Sequence, residues 1–282
     1  MGACEQIDLF LYTRGGHTLT PNRLVYLLRE YCQRLCVLVP HYAHSAGTTL
    51  ATGANEIVMH RMGELGPTDP SVANPFNPED PTDPSHQRRL PISVEDVNAY
   101  VALIRDHVQV GSEDLAALLD PLTSAVHPLA LGNIYRQHLL IRTMGSRLLA
   151  THLDPDKDSD RIEKIMEVLT EKLYYHGYPV SRQEARDVVG LPVTFAGPEL
   201  EADMWALYSE YKRNLKFGQP FIPGPGAIAP TGTPVECDVA VVESNSMLHT
   251  CRVQGTARLA KNKGTNLDEV NIEASGAWEK RA

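Results

Sequence analysis

The sequence predicts an α/β protein that ends in a small antiparallel β module. Three observations carry the prediction. Ile7-Asp-Leu-Phe-Leu-Tyr12 and Cys36-Val-Leu-Val39 are apolar runs of strand length with a helical repeat between them. Residues 218–234 hold nine Gly or Pro among seventeen positions, the composition of a linker. Beyond them, three runs rich in Val and Thr are separated by Ser-Asn and Lys-Asn-Lys-Gly turns. The expected boundaries are an α/β domain over 1–217, a linker over 218–234 and the β module over 235–282.

The opening strand has no lead-in, so the expectation is that further sequence precedes it. From Pro21, a residue suited to a first helical turn, Leu24, Leu27, Leu28, Tyr31, Cys32 and Leu35 recur at helical spacing. Pro40 stops the next strand, and the strand-helix-strand unit so formed calls for a right-handed connection in a parallel sheet. His44 to Ala54 is rich in small residues and reads as a tightly packed helix, and Glu56-Ile-Val-Met59 as the following strand. Seven prolines between Gly66 and Pro91 break any periodicity and mark a long irregular excursion. Helices are predicted from a capping box at Ser93-Val-Glu-Asp96, from Ser112, over Leu129 to His152, and over Asp160 to Tyr175. Ser181-Arg-Gln-Glu184 opens a short helix that Gly190 ends, and Glu199 to Leu215 forms the last one. The three closing runs, Val235 to Glu243, Leu248 to Leu259 and Glu269 to Trp278, read as strands.

Composition narrows the function. With 43% apolar and 22% charged residues over 282 positions, the chain is neither disordered nor fibrous. A net charge of −9 argues against a nucleic-acid backbone or an anionic membrane surface as the main partner. Five cysteines without a C-x-x-C pair read as free thiols in a reducing compartment. No apolar run reaches the roughly 20 residues of a membrane span. The expectation is a soluble, cytoplasmic protein.

The densest chemistry lies in Tyr12-Thr-Arg-Gly-Gly-His17 and His41-Tyr-Ala-His-Ser-Ala-Gly47, each at a strand end. Two adjacent glycines let a backbone approach a ligand with N–H groups free to face an oxyanion. Ser45, at a strand-to-helix junction, stands where a nucleophile would, with the Ala46 N–H beside it. The motif is not Gly-x-Ser-x-Gly, because position 43 is alanine, and on spacing alone a serine at a helix start is more often a cap. Metal readings are poorer. His41-x-x-His44 with His60 lacks the spacing of a helical zinc motif. Asp154, Asp156, Asp158 and Asp160 alternate like a calcium loop, but Pro155 intervenes and the required glycine is missing. Gly15-Gly16 is no dinucleotide fingerprint, since no third glycine opens the next helix.

Leu9-Phe-Leu-Tyr-Thr-Arg-Gly-Gly16, Val39-Pro-His-Tyr-Ala-His-Ser-Ala-Gly-Thr48, Asn55-Glu-Ile-Val-Met59, Leu65-Gly-Pro-Thr-Asp-Pro70, His176-Gly-Tyr-Pro-Val180 and Gly190-Leu-Pro-Val193 occur in one order. In them the chain resembles the serine dehydrogenase proteinase family, distant relatives of the Clp protease proteolytic subunit and signal peptide peptidase A in the ClpP/crotonase superfamily. The resemblance spans about Ile7 to Tyr211. It implies a ClpP/crotonase-like spiral of ββα units with added helices, acting as a serine endopeptidase without cofactor or metal, on peptide or protein substrates. By motif Ser45 is the nucleophile, Gly15, Gly16 and Ala46 form the oxyanion hole, and the triad runs in the order Ser45, Asp69, His176. Such an order is chemically permitted, because a triad is defined by geometry and roles. His176-Gly-Tyr-Pro departs from the His-Asp-Tyr-Pro of archaeal members, so any role of that aspartate is missing here. Rings of three or more copies are typical of the superfamily, which implies a homo-oligomer.

Bland roles compete at each position. His176 precedes a capping box and Asp69 sits in a Pro-Thr-Asp-Pro turn, both common in purely structural settings. His127 is a rival base, and His41 and His44 flank the serine, the latter at a position whose side chain points away from it. Two other functions remain open: a non-catalytic scaffold that binds through the β module, and a crotonase-type enzyme on an acyl thioester.

Overall fold

A computed structural model describes residues 4–68, 71–72, 74–83, 88–104, 115–219, 223–261 and 268–281. The chain folds as two compact units, residues 1–81 with 86–206 and residues 82–85 with 207–282.

In chain order the first unit runs β1 (Cys4–Phe10), α1 (Thr20–Arg29), β2 (Cys32–Val39), β3 (Tyr42–Ala43), α2 (Ala46–Ala51), β4 (Glu56–Met59) and β5 (Glu64–Leu65). Then come β6 (Ser71–Val72), β7 (Ile92–Ser93), α3 (Val94–Ala102), α4 (Leu115–Ala125), α5 (Pro128–Leu149) and α6 (Ser159–Glu167). β8 (Val180–Ser181), α7 (Arg182–Glu184), β9 (Val193–Phe195) and the start of α8 (Pro198–Asn214) complete it. The expected helix start at Ser112 lies outside the described residues; that helix is described from Leu115.

The architecture is mixed α/β around a parallel sheet in the order β1-β2-β4-β9. Strand alternation divides its side chains. Leu35, Val37 and Val39 of β2 and Ile57 and Met59 of β4 enter the main core with Leu148, Leu149, Ile165, Met166 and Leu169, all but fully buried. Cys36, Val58 and Met204, with Leu38 and Phe10, form a smaller cluster on the opposite face. Because both faces are covered, β2 reads as an apolar run rather than an alternating one.

Several expected boundaries shift for one reason. The first apolar run continues past β1: the Leu11 N–H still bonds the Leu38 carbonyl of β2 at 2.9 Å, but Thr13 leaves that sheet, its N–H bonding the Tyr42 carbonyl at 2.8 Å. A second sheet, β3-β5-β8, takes over there, with Thr13 bridged in parallel to Ala43. The helix expected over His44 to Ala54 is accordingly the shorter α2, since Tyr42 and Ala43 are strand and Ser45 has φ 53°. The predicted helix from Asp160 is α6 followed by a π-helical turn over Val168–Lys172, where the buried Thr170 hydroxyl donates back to the Met166 carbonyl at 2.7 Å. The capping serines act as read: Ser93 accepts from the Asp96 N–H at 3.1 Å, and Ser181 from the Glu184 N–H at 3.2 Å. Gly190 ends the helical turn after α7 with φ 89°.

The second unit contains the three predicted strands, each longer than its apolar run: β10 (Thr233–Ser244), β11 (Met247–Lys261) and β12 (Asp268–Arg281), all antiparallel. The stretch read as linker includes a 3₁₀ turn over Pro225–Ala227, whose neighbour Ile228 packs with Val235 and Ala257. Among the described residues no helix is long and apolar enough to cross a membrane, and all five cysteines are free thiols.

Candidate active site

The second sheet sets up the site. Thr13, three residues past β1, Tyr42–Ala43 and Glu64–Leu65 lie in parallel, and Val180–Ser181 pairs antiparallel on the far side. Ala43, Leu65 and Val180 point to the core and are fully buried, so Tyr42, Glu64 and Ser181 fall on the outer face. The chain then turns from β3 into α2 at Ser45.

That turn has φ 53° and ψ −112° at Ser45, a conformation costly for any residue with a Cβ. A strained strand-to-helix corner of this kind is the geometry in which a serine hydroxyl can be presented as a nucleophile. The Ser45 carbonyl accepts from the Thr49 N–H at 2.9 Å, so the helix starts here, yet the Ser45 hydroxyl makes no cap hydrogen bond. The bland role for this serine is therefore not the one it performs.

Gly15 lies against it. A Cβ built on Gly15 would stand 3.1 Å from Ser45 Cβ and 3.5 Å from Ser45 Oγ, and its φ of 120° is itself unfavourable for an L side chain. The Gly15 N–H is committed, donating to Thr13 Oγ1 at 3.1 Å, which removes it from the three expected oxyanion donors. Among the described residues the N–H groups of Gly16 and Ala46 make no hydrogen bond. A double-glycine turn thus supplies one free donor and, through its first glycine, the room for a close approach.

Two residues not singled out from the sequence hold this corner. Thr48 is fully buried; its hydroxyl donates to the Ala43 carbonyl at 2.7 Å and accepts from the Gly66 N–H at 2.9 Å, tying α2 to the ends of β3 and β5. Gly47 lets α2 lie on Thr13, since a Cβ there would come within 2.5 Å of the Thr13 methyl. The small-residue run hinted at Gly47, but nothing in the sequence marks Thr48.

The histidines separate clearly. His176 is exposed. His44 contacts Glu64 instead of turning outward alone: Nε2 stands 3.5 Å from Glu64 Oε2. Burial pushes the His44 pKa down, Glu64 opposes this, and Arg14 and His176 add to the depression. His127 is a helix cap, its Nδ1 accepting from the Leu129 N–H at 3.1 Å while its ring stacks on Phe76. The ring of His41 sits edge-on to Tyr42 at 3.8 Å and 6.1 Å from Trp205, in an aromatic cluster at the strand ends. Asp69 lies outside the described residues. The chain nevertheless leaves β5 beside the point where the segment from His176 enters β8, because Leu65 pairs with Val180.

The other polar candidates have local tasks. His60 stacks on Trp205 at 4.9 Å and accepts from the Met62 N–H. Asp154 caps its own turn, accepting from the N–H groups of Asp156 and Lys157, and Asp158 accepts from that of Asp154. Among the described residues no group of three or more His, Cys, Asp or Glu side chains is arranged to hold a metal ion.

Comparison with known proteins agrees with the motifs over the part that builds this corner. The family described as ClpP-like SDH-type serine proteinase matches residues 3–82. One uncharacterized protein of Methanocaldococcus jannaschii is 38% identical over 66 residues, 23% of this chain and 23% of its own length. Another from the same organism is 25% identical over 212 residues, 75% of this chain and 60% of its own. The chain thus spans less than two thirds of either relative. No solved structure matches it significantly.

Proposed function

We propose that the protein is a ClpP-like serine peptidase that cleaves peptide bonds by acyl transfer through Ser45. What carries the reading is the Ser45 corner: a strained φ of 53°, a hydroxyl released from capping, and a glycine turn packed against its Cβ. The family match over residues 3–82, which includes this corner, supports it.

In the proposed reaction Ser45 Oγ attacks the scissile carbonyl carbon as His176 takes the hydroxyl proton. The carbonyl oxygen becomes an oxyanion, received by the N–H groups of Gly16 and Ala46. His176 then returns the proton to the leaving amine, and water repeats the sequence on the acyl-enzyme. Asp69 would orient the His176 imidazole and stabilise it when charged. His127, the rival base, is occupied as a helix cap. A ClpP/crotonase-like spiral, assembled into a homo-oligomer, is the architecture this reading entails.

A fluorophosphonate probe tests it, because Oγ displaces fluoride from phosphorus only where a serine is activated. Covalent labelling that maps to Ser45, and is lost in Ser45→Ala, is expected. Folded protein that takes no label would overturn the peptidase reading in favour of a binding scaffold.

A further inference from the structure

The sheet of the second unit has one guarded edge and one open edge. β10 carries Pro234 and a bulge between Asp238 and Ala240, two of the devices by which natural edge strands refuse a further strand. β12 carries neither. Its 14 residues include no proline, and its register with β11 runs unbroken from Arg281 opposite Leu248 to Asp268 opposite Lys261. Strands in globular proteins are usually about 3–10 residues long, so this is a long edge. Among the described residues no strand pairs with its outer side. Every residue from Glu273 to Trp278 is exposed, Trp278 by 55%. Side chains alternate along the strand: Val270, Ile272 and Trp278 share one face, and Glu269, Glu273, Glu279 and Arg281 share the other.

We propose that β12 is a self-pairing edge, at which two copies of this chain join antiparallel about a two-fold axis through Ser275, their three-stranded sheets becoming one of six. The charge order of the strand selects the partner. Asp268 and Glu269 stand at one end, Lys280 and Arg281 at the other. Antiparallel pairing brings unlike ends together, whereas in-register parallel pairing would set every charge against its own copy. Charge also selects the register. Facing residues of a two-fold pair point to the same side of the joined sheet, so the axis passes through a residue. With Ser275 on the axis, Glu269 of each copy faces Arg281 of the other, Asn271 faces Glu279, Ile272 faces Trp278 and Ala274 faces Gly276. No two like charges are opposed. Moving the axis to Ala274 would set Glu269 against Glu279, and moving it to Gly276 would set Glu273 against Glu279. Ile272 with Trp278 is a β-branched and aromatic pair of the kind that stabilises facing strands. It forms twice, covering the indole that a single chain leaves exposed. None of this depends on the reading of Ser45.

The test is the mass of the full chain in solution, measured by sedimentation over a range of protein concentrations for wild type, Ser275→Glu and Ser275→Lys. Ser275 is exposed, so neither substitution enters the interior of a single chain. Ser275→Glu places two carboxylates face to face on the axis, with Glu273 of both copies on the diagonals. The dissociation constant is expected to rise about tenfold or more, halving the mass at concentrations where wild type is paired. Mixing the Glu variant with Ser275→Lys sets a carboxylate against an ammonium, and mixed pairs at the wild-type mass are expected. A wild type that stays a single copy at every concentration overturns the proposal and leaves the edge to a different strand. So does a wild-type assembly whose mass Ser275→Glu does not lower, because the copies then meet on another surface. A mixture of the Glu and Lys variants that remains at the lower mass overturns it too, since residue 275 would then not face its own copy.

Discussion

Gly47→Ala probes the corner that presents Ser45 without touching any reacting atom. The new Cβ would meet the Thr13 methyl at 2.5 Å and Ala43 Cβ at 3.4 Å, against the roughly 3.5–4.0 Å of an ordinary carbon contact. An overlap of this size with a β-branched side chain falls at the upper end of overpacking costs, about 3 kcal/mol. Replacing glycine by alanine in a helix returns up to about 1 kcal/mol. The net destabilisation is therefore about 2 kcal/mol, a fall in Tm of roughly 4–8 °C for a unit of this size. Thr13→Ser removes the offending methyl and keeps the hydroxyl that holds Gly15; alone it costs about 1 kcal/mol for the lost methyl. In the double variant the clash is gone, so its stability returns to within about 1 kcal/mol of wild type, a coupling of about 2–3 kcal/mol. Thermal unfolding of the four proteins measures this directly. Gly47→Ala as stable as wild type, or a double variant that is merely the sum of the singles, would refute the claim that α2 is seated on Thr13.

Two further outcomes follow from the same geometry. Ser45→Gly removes a Cβ from a backbone with φ 53° and is expected to raise stability by about 1 kcal/mol while abolishing fluorophosphonate labelling; paired melting and labelling experiments check both, and a less stable variant contradicts the strain argument. Acid sensitivity should trace to Glu201, a buried carboxylate bonded by Arg61 and by Arg182 Nη1 at 2.7 Å. These bonds hold its pKa at about 2 against an ordinary 4.5. Because the folded-state value is the lower one, the stabilisation is complete above about pH 4.5 and is lost as pH falls from there toward 2. Glu201→Gln should flatten the decline of Tm over that window, and an unchanged acid profile would remove Glu201 from the account.

Local pattern was enough wherever a residue's role depends on its immediate neighbours. Ser93, Ser181 and Gly190 mark helix ends because their side chain or backbone freedom acts within five residues. The apolar runs of β2 and β4 were legible because both faces of a parallel sheet are buried, and the three closing strands because alternation and turns recur together. The site was legible as two motifs, Gly15-Gly16 and Ser45, but not as an arrangement. Which glycine keeps a free N–H was decided by the Thr13 hydroxyl, and the availability of Ser45 Oγ by a positive φ that no spacing rule encodes.

Short strands were the main loss. β3, β5 and β8 are two residues each, too brief for a periodic signal, and they form only because distant segments bring their backbone groups together. With them went the pairing of His44 and Glu64, twenty residues apart, and the use of Thr48 as a tie between strand ends. The amino-acid sequence by itself determined the longer helices and strands and which serine and glycines are chemically equipped, because those properties reside in side-chain pattern and backbone freedom. Only the tertiary structure decided which donors stay free and which carboxylate faces the serine's neighbour, because both depend on partners that the chain meets only after folding.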